Sequence, residues 1–179
     1  MKQIIPQWQI AGFIFTSILG TFLHFLFELT DSSVFAALFS AVNESIWEHM
    51  KLSFYPMVLF ALIEYLTWGK EIPDFWCIKL QGILLGLVLI PLIYYVYTGI
   101  LGVNADWFNV TIFFIAAAAA YYLESRLFIL GRSCALGRRL AVVLLCLIAV
   151  IFSVLTFLPP RIPFFMDPVT GTYGFYAEM

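Results

Sequence analysis

Five mainly apolar runs, roughly 8–27, 52–68, 75–97, 107–130 and 140–158, constrain this chain more than anything else in it. A helix needs about 20 apolar residues to cross the hydrocarbon core of a bilayer. Helices suit that medium because they pair their own backbone N–H and C=O groups where no water can. A single soluble core cannot absorb five such runs. The chain is 63% hydrophobic and 11% charged, against about half and about a quarter in a soluble domain, and its mean hydropathy is +0.99. The expected fold is all-α: one integral membrane domain over 1–179, a polytopic bundle of five transmembrane helices. An amphipathic segment precedes span 2, and a tail over 159–179 folds back on the outer face. A net charge of -2 offers no basic field for nucleic acid, so the lipid bilayer is the expected partner.

Orientation follows from the basic residues near the span ends. Lys2, Lys70, Lys79, Arg126, Arg132, Arg138 and Arg139 fall on one side, Lys51 and Arg161 on the other. This places the N-terminus inside and the C-terminus outside. The first run lacks an A-x-A-like cleavage site and reads as a retained span. Both histidines, His24 and His49, then fall on the outer side with Glu28, Glu44, Glu48 and Asp167. Cys77, Cys134 and Cys146 show no CxxC spacing and read as small buried or membrane-edge thiols, without a disulfide framework.

Polar residues inside apolar runs carry the functional information, because lipid cannot satisfy them. Ser17, Thr21, His24 and Glu28 share one face of the first span, and Gly12, Thr16 and Gly20 form a second stripe suited to close helix contact. Ahead of the second span, AVNESIWEHMKL places Glu44, Glu48, Lys51 and Tyr55 on one narrow arc, with Ser45 and His49 beside it. Asn43 or Ser40 is the expected cap, with Glu44 in the first helical turn. A helix from Glu44 to Trp68 would exceed the hydrocarbon core, so either its start projects beyond the core or it bends near Pro56. Glu64 reads as snorkelling or as pairing with Lys70 or Lys79, and Glu124 with Arg126 as a solvated edge or ion pair. Gly82 with Gly86 and the Ala116–Ala120 run supply smooth faces for packing. The aromatic tail is expected over the outer helix ends, as a lid or an anchor.

The strings VNESIWEHMKL and PPRIPFFMDPVTGTYG resemble a family of small bacterial integral membrane proteins, domain of unknown function 6512. Its members carry VNES-W-EH-KL after the first span and a PP-x-x-P-x-F-x-D-P-x-TG-x-YG tail. Asn43, Glu44, Ser45, Trp47, Glu48, His49, Lys51, Asp167, Gly171, Tyr173 and Gly174 match those positions. Arg161 departs from the family, where histidine is frequent. The resemblance implies a bacterial cytoplasmic membrane and a functional link between the two strings; it implies no activity.

Glu44-x-x-x-Glu48-His49 is neither HExxH nor HxxEH, and no G-x-S-x-G elbow, P-loop or dinucleotide fingerprint occurs. Three readings stay open. His24, Glu28, Glu44, Glu48 and His49 can line the vestibule of a proton-coupled transporter for a small solute or cation. The NESIWEH segment and tail can instead form the cap of a non-catalytic membrane binding or structural subunit. Lastly, His24, His49 and carboxylates, Glu48 foremost, can ligate a divalent metal such as zinc for a membrane-embedded hydrolase.

Overall fold

A computed structural model describes residues 4–131, 134 and 136–175, apart from the Asp106 side chain. Lys2 and Arg132, counted for orientation, lie outside the described residues. Six α-helices follow in order: α1 (Ile5–Leu29), the single turn α2 (Val34–Ala37), α3 (Ile46–Thr67), α4 (Phe75–Leu101), α5 (Asp106–Leu130) and α6 (Gly137–Phe157). All but α2 are long and apolar enough to cross a membrane. Among the described residues the only β pairing is an isolated bridge between Met166 and Tyr173. The long helices alternate in direction. One end of the bundle gathers His24, His49 and the tail, and the opposite end gathers Lys70, Arg126, Arg138 and Arg139. The first is the histidine end of the bundle and the second its basic end.

Burial is inverted relative to a protein in water. Ile10, Ile14, Ile18 and Phe22, at helical spacing along α1, are at least half exposed, as are Val143, Leu147 and Val150 on α6. Glu48, Lys51, Glu64, Lys79 and Glu124 are no more than 1% exposed. Apolar stripes of that length suit contact with lipid, and charged side chains inside such a bundle turn inward to one another. Lys79 and Lys51 therefore pair inside the protein and leave the loop-charge count, one from each side.

Small residues set how closely the helices approach. A Cβ on Gly12 would come within 2.5 Å of the Tyr121 ring, and one on Gly20 within 2.7 Å of the Leu52 carbonyl oxygen. That carbonyl stands four residues before Pro56, which has no N–H to offer it. Helix α3 nevertheless runs unbroken through Pro56, and α1 covers the released carbonyl by way of Gly20. Thr16, between the two glycines, bonds the Tyr121 hydroxyl at 2.8 Å. Ala116, Ala117 and Ala120 are fully buried, and Ala120 meets the Gly86 face of α4. Both small-residue faces thus lie where the sequence pattern puts them.

The cysteines differ from expectation. Cys77, buried at the start of α4, and Cys134, in the α5–α6 connection, form a disulfide across a Cα–Cα distance of 6.2 Å; Cys146 is free and exposed. Their 57-residue separation hides the pairing from any spacing motif.

The tail folds back as expected. Trp47 stacks on Phe152, Phe164 and Phe165 at centroid distances of 4.6, 5.9 and 4.9 Å. Asn43 Nδ2 donates to Gly174 O at 3.2 Å, and Phe175 N donates to Thr156 O at 2.8 Å. Aromatic pairs of this kind contribute about 0.5–1.5 kcal/mol each beyond simple burial.

Candidate metal centre

The α3 helix begins later than its amphipathic pattern suggests. Ser45 is its N-cap: the backbone there is extended, and Ser45 Oγ accepts from Glu48 N at 3.3 Å. Asn43, an expected cap, instead accepts from Ser45 N at 2.9 Å through Oδ1, in a local turn. The other, Ser40, donates to Ala36 O at 2.7 Å. Glu44 is therefore not helical, and its side chain does not share an arc with Glu48.

That offset sends the two glutamates to different places. The Glu44 carboxylate reaches between both histidines, with Oε1 3.6 Å from His24 Nε2 and Oε2 3.4 Å from His49 Nε2. The two rings lie 5.4 Å apart, centre to centre. Ligand atoms of all three residues fall within 4.8 Å of one another. The site is half-open: side-chain exposure is 28% for His24, 46% for Glu44 and 20% for His49. Contact with His24 is the main reason the Glu44 carboxyl is held below its ordinary range; burial opposes this, and the nearby imidazole charges reinforce it.

His49 Nδ1 stands 2.9 Å from the Ser45 carbonyl. A carbonyl only accepts, so Nδ1 carries the proton and donates. In the neutral ring this leaves the Nε2 lone pair pointing at a carboxylate oxygen, an arrangement that calls for a positive charge between them. Metal-bound histidines are commonly fixed this way, the second nitrogen donating to a backbone carbonyl. Ligand atoms about 2.1 Å from a tetrahedral ion stand about 3.4 Å apart, close to both observed separations.

Glu48 was the carboxylate expected to join the histidines, and it does not. Its Oε2 is 2.6 Å from Lys51 Nζ and accepts from Val42 N at 3.2 Å, while Oε1 accepts from Thr156 Oγ1 at 2.9 Å. Lys51 also donates to Ala37 O at 2.9 Å and to Thr156 Oγ1 at 2.8 Å. The i, i+3 spacing of Glu48 and Lys51 closes the ion pair on one helix face, away from His49.

The remaining expected site residues separate likewise. Glu28 is exposed at the end of α1, and the Ser17 and Thr21 hydroxyls donate to the carbonyls of Phe13 and Ser17. Trp47 packs in the core. Asp167 closes its own turn, accepting from Val169 N at 2.8 Å and from Thr170 Oγ1 at 2.8 Å. Ser45, a cap through its hydroxyl, is not placed as a nucleophile for His49.

Beside the two histidines is a cavity of about 240 Å³ lined by Gly20, Thr21, His24, Phe25, His49, Leu52, Val110, Phe113 and Phe114. Its rim residues Phe25 and Val110 are each 53% exposed or close to it, on the flank of the bundle between α1 and α5. Among the described residues no tail residue lines it, and residues 159–175 cap Trp47 and the helix ends instead. A smaller hollow of about 30 Å³ adjoins Glu44 and His49 on the other side, with Tyr94 and Asn109 in its wall.

Residues 1–175 match a family of unknown function, DUF6512. The chain belongs to that family. No curated protein and no solved structure matches it. In this DUF6512 chain, the sequence pattern offers His24 and His49 as metal ligands but with Glu48 as the carboxylate, Glu44 being only one of a wider polar set, and it does not mark the cavity walls. Phe113, Phe114 and Val110 are ordinary span residues, distinguishable only once α5 lies against α1.

Proposed function

We propose that the His24–Glu44–His49 cluster binds a divalent metal of the zinc class and serves an amphiphilic ligand whose apolar part enters the adjoining cavity from the lipid. The reaction class supported best is metal-assisted hydrolysis at the membrane surface. The observation carrying this is the convergence of two imidazole nitrogens, one fixed in tautomer by the Ser45 carbonyl, on a carboxylate beside an apolar cavity open to the flank. Three protein ligands leave a tetrahedral ion one open position, the usual arrangement of catalytic zinc. A metal held there by His24, Glu44 and His49 would supply Lewis-acid polarisation of a substrate oxygen and activation of water. Phe25, Val110, Phe113 and Phe114 would hold the ligand's chain.

Metal analysis after chelator-free purification tests this. One equivalent of zinc-class metal is expected in the wild type, with loss in His49→Ala and in Glu44→Gln. A metal-free wild type, or variants that keep the metal, would refute it. Transport of the cation itself is a second reading, supported by the charged cluster buried at the basic end of the same helices. Zinc accumulation in sealed vesicles, abolished by His49→Ala, would select transport over hydrolysis.

The histidine end is proposed to lie outside. Exposed Lys70, Arg126, Arg138 and Arg139 at the opposite end support this. The placement puts Cys77 and Cys134 on the inner side, where thiols are normally kept reduced. The pair is then expected as a dithiol in cells and a disulfide after aerobic purification. A disulfide already present in rapidly alkylated cells would favour the reverse orientation.

A further inference from the structure

At the basic end, four polar side chains from four helices meet in a region closed to solvent. Gln9 of α1 donates through Nε2 to Glu64 Oε1 of α3 at 2.7 Å. Lys79 of α4 bridges Glu64 Oε2 and Glu124 Oε2 of α5, the latter at 2.5 Å. Exposure is 3% for Gln9, 1% for Lys79 and zero for both glutamates. The Lys79 ammonium is further enclosed by the rings of Phe75, Tyr121 and Phe128, 5.3 to 6.0 Å from their centroids. Gly82 makes room for this, since a Cβ there would collide with the Glu124 carboxylate.

The charges do not balance. Two carboxylates face one ammonium, and among the described residues no second cation joins them. Arg138 lies over the Tyr65 ring, 5.8 Å from its centroid, while Lys70, Glu71 and Arg126 are exposed. Tyr121 bonds Thr16 and is neutral. A net negative charge sealed in an apolar surround is strongly disfavoured, and such groups neutralise instead. Two buried oxygens, Gln9 Oε1 and Glu124 Oε1, also have neither a hydrogen-bond partner nor a contact with the Lys79 ammonium.

We infer that the Gln9–Glu64–Lys79–Glu124 cluster is a proton-binding site holding one proton between its two carboxyl groups, in addition to the lysine's charge. With the proton on Glu64, a half-turn of the Gln9 amide lets Gln9 Oε1 accept from the new O–H. Lys79 and Glu124 are then left as a neutral ion pair. With the proton on Glu124, the unpartnered Oε1 carries it. A proton suits this site better than a sodium ion, because Lys79 already occupies the position between the carboxylates and the unpaired oxygens are too few to replace a hydration shell. The site lies at the opposite end of α1, α3 and α5 from the histidines and does not depend on metal binding there.

Infrared spectroscopy of the full-length protein in detergent or nanodiscs tests the inference through the carbonyl stretch of a protonated carboxylic acid. At neutral pH the wild type is expected to show one such band, shifted by carbon-13 labelling of glutamate and not of aspartate. Glu64→Gln and Glu124→Gln each leave one carboxylate for Lys79 and should each lose the band. No band in the wild type, or its persistence in both variants, overturns the inference. So does a band that disappears on adding sodium, which would identify a metal-cation site. If neither variant folds, the labelled wild-type spectrum and its sodium dependence still decide.

Discussion

Glu44 and Glu48 stand one helical turn apart in sequence, yet one is left incomplete and the other fully satisfied. The Glu48 carboxylate is enclosed by Lys51, Thr156 and Val42 N, with both oxygens occupied. The Glu44 carboxylate is 46% exposed and faces two ring nitrogens, one with its lone pair free in the neutral ring. A closed network holds helices in register; an open one with convergent lone pairs can take a ligand. The boundary between them is Ser45, where the extended backbone becomes helix. The comparison therefore predicts opposite consequences for substitutions only a few residues apart.

The largest effect is expected from Lys51→Met. Removing one partner of a buried pair strands the other charge, at a cost of about 3–5 kcal/mol. The melting temperature of purified protein should fall sharply, and Glu48→Gln should act in the same direction. Unchanged melting in both would mean that the Glu48–Lys51–Thr156 network does not hold the bundle together. By contrast, His49→Ala should have little effect on the melting of metal-free protein, because His49 is partly exposed and closes no buried pair. Its effect should appear with metal. Zinc at about a hundred times its dissociation constant should stabilise the wild type by about 2.7 kcal/mol, and His49→Ala should lose that increment. Equal zinc stabilisation in both proteins would remove the distinction between the open cluster and the closed one.

The sequence made some of this legible. Five spans, the folded-back tail and the small-residue stripe on α1 all depend on apolar length or helical periodicity, which one sequence displays directly. His24 and His49 stood out because histidine is rare in such a chain. Glu48 does not join the histidines because the helix starts at Ile46, two residues short of the Glu44 that an ideal helical wheel includes. The pairing of Glu64 with Lys79 is one of the readings the sequence offers, whereas Glu124 reads there as a solvated edge or a partner of Arg126. The burial of both glutamates depends on Lys79, Gln9 and Gly82 arriving from other helices, which no local pattern reveals. The Cys77–Cys134 pair was missed for the same reason.

Ser45→Ala tests the boundary itself. Loss of the Oγ cap on Glu48 N should cost about 1 kcal/mol. Because His49 is oriented by the Ser45 carbonyl and not by its hydroxyl, zinc binding should survive. If this variant loses metal while melting within a few degrees of wild type, the capping turn and the metal site are one unit rather than two neighbours.

The smallest expected effect is acid sensitivity at Glu44, read in chelated protein so that no metal contributes. The Glu44 carboxyl is held below its ordinary value of 4.5, foremost by His24. A depressed carboxylate contributes stability above its unfolded value, and that contribution disappears as the pH falls through the folded one. Wild type should therefore exceed Glu44→Gln in melting temperature above pH 4.5, with the difference closing as the solution becomes more acidic. With nearly half of the Glu44 side chain exposed, solvent screening keeps the difference small, well below that of Lys51→Met. A gap that instead widens on acidification would show that the carboxylate opposes the folded state, as expected if Glu44 faces away from the histidines.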